Sequence, residues 1–338
     1  MNFRVRNLLQ SAGLCAMLLA LASRPALADA RVMCVWDPLG SQGDYFNLFR
    51  DYQLAARRWG VDLSLRAYTD EAISVQDFQD GKCDLINMIG YRARLFNKFT
   101  GTIEAPGAIE NYADMREALA VVTSPKAERY MNSGLYDVMG ILPLGSAFAV
   151  VNDRKITGIA SARGKRVAII GWDPIHTMMV READAVPVPM DISQYGQAFN
   201  NGKVDIVIVP MVLYKPMELE KGVGSKGGII RRPISEITMQ IVGRHDKFTP
   251  DFGRNSRDYM LKQMDFALSV IHNQEEAIDS SSWIYAPTSV HKEYTRVMSL
   301  SRASILKAGF YDARMLGILK RIRCRNRDEN DLNCGPDD

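Results

Sequence analysis

The same short strings occur twice in this 338-residue chain, in the same order. The first copy reads Val35-Trp36-Asp37-Pro38 and then Phe78-x-x-Gly81-Lys82-x-Asp84. The second reads Gly171-Trp172-Asp173-Pro174 and then Phe199-x-x-Gly202-Lys203-x-Asp205. Each Trp-Asp-Pro closes a short apolar run, and each Gly-Lys-x-Asp opens another, Leu85 to Ile89 and Ile206 to Val209. Strand, turn, helical segment, turn and buried strand make an α/β unit with a parallel sheet. Two copies predict an α/β fold of two similar lobes whose post-strand loops face a shared crevice, the edge at which open α/β sheets bind ligands.

In the first copy the patterning predicts strands over 31–36, 61–68 and 85–89 and helices over 44–58 and 71–79. Phe46, Phe49, Leu54 and Trp59 have helical spacing, and Gly60 ends that run. Residues 91–109 read as a loop with a helical turn, and a strand near 148–151 carries the chain across. The second copy predicts strands over 167–171, 186–190 and 204–209 and helices over 176–184 and 192–200. Residues 221–228, rich in Gly and Lys, read as a surface loop, and the chain extends again from Ile234. Beyond Arg257 it reads as mainly helical, ending in one long basic amphipathic helix over 295–323. The expected organisation is a signal peptide (1–28), lobe one (31–148 with part of 236–338) and lobe two (149–235). A mainly helical region (257–323) and a polar tail (324–338) complete it.

The N-terminus points to export. Arg4 and Arg6 precede an apolar stretch from Leu8 to Leu21, and Ala26-Leu27-Ala28 offers a small-x-small cleavage site. That stretch is too short to anchor the chain, and no later run is long enough to span a bilayer, so the mature chain is expected in the periplasm without membrane insertion. Removing Arg4, Arg6 and Arg24 balances the basic residues against the acidic ones, from 42 and 39 in the whole chain. A global field for nucleic acid is thereby excluded. Four cysteines remain, an even number that favours disulfides in an exported protein, with three possible connectivities. Cys324 and Cys334 bracket a short polar loop, and Cys34 and Cys83 fall in two strands of one lobe, so Cys34–Cys83 and Cys324–Cys334 are the expected pairs, although Cys34 and Cys83 also suit plain core positions. No C-x-x-C occurs and the four histidines (176, 245, 272, 291) are scattered, so neither a metal nor another cofactor is expected.

From Gly164 to Pro210 the chain resembles a known family. Gly164-Lys165-Arg166-Val167, Ala185-Val186-Pro187-Val188-Pro189-Met190, Tyr195-Gly196-Gln197-Ala198 and Gly202-Lys203-Val204-Asp205 are similar to the solute receptors of tripartite ATP-independent periplasmic (TRAP) transporters. Cys34-Val35-Trp36-Asp37-Pro38-Leu39-Gly40 and Phe96-Asn97-Lys98-Phe99-Thr100-Gly101 resemble a narrower group, the AdeT-type solute-binding proteins, some of which bear a label linking them to RND efflux of aminoglycosides. The resemblance implies a two-lobe type II periplasmic-binding architecture, a hinge crossed more than once, one small solute in the cleft, and membrane transporter subunits as partners. It also implies an Arg that forks a substrate carboxylate, at the position where this chain has Ala168.

The candidate ligand residues come from the loops after the strands: Trp36, Asp37, Asp44, Tyr91, Arg92, Arg94, Trp172, Asp173, His176 and Tyr214. Paired indoles and carboxylates from opposite lobes could wall and orient a ligand. Trp36 and Trp172 equally suit core packing, an Asp before Pro often serves a turn, Asp44 could cap the first helix, and His176 sits on a strand-to-helix loop. Free Asp37 and Asp44 would suit a cationic or polyhydroxylated ligand. No G-x-S-x-G, H-E-x-x-H or P-loop string is present. The expected function is therefore a non-enzymatic, exported solute-binding protein serving a transporter. The alternative is a periplasmic accessory of an RND efflux system, for which the long heptads of an adaptor hairpin are missing.

Overall fold

The computed structural model describes residues 29–325 and Cys334. The expected signal peptide, at 1–28, lies outside the described residues, as does most of the expected polar tail. Both copies of the repeat fold the same way. Strands β1 (Asp29–Trp36), β2 (Val61–Tyr68) and β3 (Leu85–Ile89) form a parallel group, with β1 in the middle. Helix Asp44–Arg58 connects β1 to β2, and helix Glu71–Gln79 connects β2 to β3. Helix Asp44–Arg58 buries Phe46, Phe49 and Tyr52 along one face, at successive spacings of three residues.

The long strand β4 (Tyr136–Val151) leads to the second group: β5 (Arg166–Ile170), β6 (Val186–Met190) and β7 (Ile206–Pro210), again parallel with the first strand in the middle. Short strands β8 (Gly228–Ile230) and β10 (Trp283–Ile284) pair beside β4, and β9 (Ser235–Arg244) runs antiparallel to both β3 and β4. The resulting sheet has the order β2-β1-β3-β9-β4-β7-β5-β6. β4 and β9 therefore join the two parallel groups. Their pairing slips between Val138 and Gly140 and again between Pro143 and Gly145, local bends in the strands that cross between lobes.

The repeated strings explain the repeated geometry. The helices ending at Gln79 and Asn200 both close in a Schellman turn: Gly81 N–H donates to Phe78 O and Lys82 N–H to Asp77 O, as Gly202 does to Phe199 and Lys203 to Ala198. Gly81 and Gly202 take φ of 78° and 67°, which only a residue without Cβ adopts at ease. The Asp that follows pins the neighbouring strand: the Asp84 carboxylate accepts from Val32 N–H at 3.0 Å, and Asp205 from Arg166 N–H at 2.9 Å. Both expected disulfides form, with Cα separations of 5.8 Å for Cys34–Cys83 and 5.7 Å for Cys324–Cys334.

Three readings of the elements need correction. The expected single helix over 295–323 is two, Thr288–Lys307 and Ala313–Arg323. Gly309 at φ 83° turns the chain out of the first, and the Asp312 carboxylate caps the second, accepting from Arg314 N–H at 2.8 Å. Part of the supposed loop over 221–228 belongs to helix Leu219–Val223, and helical structure at the C-terminal side begins at Pro250, ahead of Arg257. Among the described residues no helix is long and apolar enough to cross a membrane.

Candidate functional site

The loops after β1, β2, β3, β6 and β7 enclose a cavity of about 520 Å³. One wall is Trp36, Pro38, Thr69, Asp70, Glu71, Ala72 and Arg92; the other is Asp191 to Ser193, Gly196, Gln197, Asn200, Asn201 and the segment around Leu213 to Lys221. A second cavity of about 300 Å³ shares Trp36, Pro38, Leu213 and Pro216 with the first and adds Asp44, Tyr45 and Gln274. Trp36 is packed in the core at 3% exposure and lies at the wall of both cavities. Its backbone is clamped by the buried Asn87 side chain of β3, which accepts from Trp36 N–H at 2.7 Å and donates to Trp36 O at 2.8 Å.

The two repeated aspartates are structural. Asp37 accepts from Leu39 N–H at 2.8 Å and from Tyr45 and Phe46 N–H at 3.1 Å each, so it caps the helix Asp44–Arg58 from a distance. Burial pushes its carboxyl up, and those backbone donors act against the rise. Gly43 is required beside it, since a Cβ there would stand 1.9 Å from Asp37 Oδ1. Asp44 is exposed in the first turn of that helix, at the rim of the smaller cavity, and is not its cap residue. Asp173 caps helix Pro174–Glu182, its Oδ1 accepting from Ile175 N–H at 3.0 Å.

Across the cleft three residues following β3 meet three following β5. Arg92 lies 4.4 Å above the Trp172 ring and forms an ion pair at 2.8 Å with the buried Glu71. Burial raises the Glu71 carboxyl, against the opposing pull of Arg92. Arg94 and Asp173 pair at 2.6 Å with both side chains buried. Tyr91 and His176 meet edge to face at 4.6 Å. His176 Nδ1 is 3.2 Å from Asp173 Oδ2, within ion-pair range but without the alignment of a hydrogen bond. Burial alone would raise the Asp173 carboxyl; His176 and Arg94 outweigh it and hold the pKa down at about 2. Of the expected site residues, Tyr91, Arg94, Trp172, Asp173, His176 and Tyr214 line neither cleft cavity, and Tyr214 packs in the core at 6% exposure.

Sequence reasoning missed Thr69, Asp70, Asp191, Ser193, Gln197 and Asn201. Two signals for them were present: Thr69 directly follows β2 and Asp191 directly follows β6, so the rule applied to the other strand ends would have reached both. Ala168 faces a small cavity of about 60 Å³ with Tyr91, His176, Tyr195 and Ile237, so no cation stands at that position. Among the described residues no group of three or more His, Cys, Asp or Glu could hold a metal ion.

The family model for solute-binding proteins AdeT 1/2 matches residues 53–338. The chain belongs to that family. It is 38% identical over 296 residues to the probable solute-binding protein AdeT1 of Acinetobacter baumannii, covering 88% of this chain and 97% of that relative. The probable solute-binding protein AdeT2 of the same organism is 25% identical over 224 residues, 66% of this chain and 94% of the relative. Among solved structures, a TRAP periplasmic solute-binding protein from Desulfovibrio salexigens with bound orotic acid is similar at a TM-score of 0.72 and 12% identity, covering 88% of this chain and 99% of that one. One from Desulfovibrio desulfuricans with bound sn-glycerol-3-phosphate reaches 0.69 at 13% identity, over 90% of this chain and 99% of that one. This chain of a solute-binding protein family therefore has the two-lobe type II binding-protein fold. None of these comparisons supports the efflux alternative.

Proposed function

We propose that the protein is an exported, non-catalytic periplasmic receptor that captures a neutral or cationic polar solute in the 520 Å³ cleft and delivers it to membrane transporter subunits. The lining of that cleft carries the reading. It holds four carboxylates, Asp70, Glu71, Asp191 and Glu218, against two cations, Arg92 and Lys221. Both cations are already engaged, Arg92 with Glu71 and Lys221 with Glu218 at 2.5 Å. Thr69, Ser193, Gln197 and Asn201 add neutral donors and acceptors that have no hydrogen-bond partner among the described residues. A polyol or amine can satisfy those groups, whereas an anion entering the cleft meets the like charge of Asp70 and Asp191, which no cation of the lining offsets. Orotic acid and sn-glycerol-3-phosphate are ligands of the two Desulfovibrio receptors.

In this reading Trp36 supplies a ring face to the solute, and polar groups from both walls fix its orientation. Lobe one is residues 31–148 with part of 236–338, lobe two is 149–235, and the bends of β4 between Val138 and Gly145 are where the lobes flex. Thermal-shift screening of the mature protein against polyols, sugars, polyamines, aminoglycosides and organic acids tests the proposal. A ligand at a hundred times its Kd stabilises by about 2.7 kcal/mol, which such a screen reads easily. The expected hits are neutral or cationic; hits confined to dicarboxylates such as succinate and malate would overturn the ligand class.

A further inference from the structure

We infer that Asp173 is a built-in carboxylate: by occupying Arg94 across the cleft, it closes the lobes in the absence of solute and keeps a solute carboxylate off that guanidinium. The inference takes the cleft as the binding site, as proposed above. Arg94 follows β3 on one side and Asp173 follows β5 on the other. Their side chains are 7% and 0% exposed and 2.6 Å apart, so the pair is sealed from water and neither charge can be left buried alone without a large penalty.

The geometry of the pair explains why it behaves as a substitute for a ligand. An arginine and a free carboxylate make two parallel hydrogen bonds. Here only Asp173 Oδ2 reaches Arg94, through Nη2, because Oδ1 is committed to the Ile175 N–H at the helix cap. Arg94 Nη1 is consequently buried with no hydrogen-bond partner. Half of the guanidinium fork is unused, and a small free carboxylate that replaced the Asp173 side chain could take both tines. Arg92 against Trp172 and Tyr91 against His176 flank the pair, so the latch is a row of cross-lobe contacts made entirely by the protein.

The test reads closure and carboxylate binding separately, without any transported solute, so an empty solute screen leaves it intact. Spin labels at Ile73→Cys and Val186→Cys, two exposed positions on opposite lobes, report the interlobe distance, and the native cysteines 34, 83, 324 and 334 are closed in disulfides. The solute-free wild type is expected to give one short, narrow distance distribution. Asp173→Asn, which keeps a cap oxygen but not the charge, and Arg94→Gln are expected to shift it to longer, broader distances. Asp173→Gly opens room at Arg94, so formate at millimolar concentration should raise its melting temperature and restore the short distance, while chloride at equal ionic strength and formate on the wild type do neither. A solute-free wild type that is already open overturns the inference. So does a folded Asp173→Gly protein that ignores formate. If Asp173→Gly fails to fold, unchanged distances in Asp173→Asn and Arg94→Gln overturn it equally.

Discussion

Replacing Glu104 with Gln should flatten the pH dependence of stability by one proton. Glu104 is 1% exposed and docks on the lobe-crossing strand β9, accepting from Thr238 N–H at 2.6 Å and Thr238 Oγ1 at 2.8 Å. Its second oxygen has no partner, and burial pushes the carboxyl from 4.5 up to about 8 against the pull of those donors. Since the folded pKa lies above the unfolded one, the native state keeps a proton that the unfolded chain releases. The associated stability is complete below about pH 4.5 and is lost as the pH rises through about 8. One such proton changes stability by about 1.4 kcal/mol per pH unit, or about 5 kcal/mol over the whole span. Glu236, on β9 itself, is raised to about 8 by burial as well, so it adds a second proton that the wild type loses on unfolding between pH 5 and 7. Urea denaturation at pH 5, 6, 7 and 8 measures both slopes. The Glu104→Gln slope should be shallower than that of the wild type by one proton's worth, roughly 1.4 kcal/mol per pH unit. Parallel slopes for the two proteins would refute the reasoning, whatever their absolute stabilities.

Three other outcomes follow from individual contacts. Removing the Cys34–Cys83 bridge, which closes a span of 49 residues, by joint Ala substitution should lower the free energy of unfolding by about 4 kcal/mol in chemical denaturation. Asp37→Ala strips an acceptor from three backbone N–H groups and should cost about 2–3 kcal/mol, with Asp37→Asn recovering part of it. Gln197→Ala and Asn201→Ala each remove one neutral cleft group and should weaken solute binding about three- to tenfold by calorimetry, leaving the melting temperature within a degree or so.

Local chemistry with a short sequence span was legible in the chain. The Gly-Lys-x-Asp strings marked where a helix ends and a buried strand begins, and the structure adds that each forms a Schellman turn with an Asp anchor on the neighbouring strand. The Cys34–Cys83 pair was readable because Cys34 lies on β1 and Cys83 two residues ahead of its neighbour β3. What sequence could not supply was which oxygen each carboxylate spends where. Asp37 and Asp173 looked like free cleft groups, yet each turns back to cap a helix, a choice settled by backbone N–H groups that the string does not display. The pairing of Arg94 with Asp173 spans 79 residues and depends on how the two loops face each other, which no local pattern encodes. Tyr214 was placed by its position after β7, but the 3-10 turn Met211–Leu213 rotates it into the core.

The account stands most directly on where a captured solute sits. A crystal structure of the mature protein with the strongest ligand from the thermal screen measures this. The account predicts density in the cleft between Trp36 and Gln197, in contact with residues of both lobes and with the Arg94–Asp173 pair intact beneath it. A solute held by one lobe alone, or one whose carboxylate sits on Arg94 in place of Asp173, would contradict it.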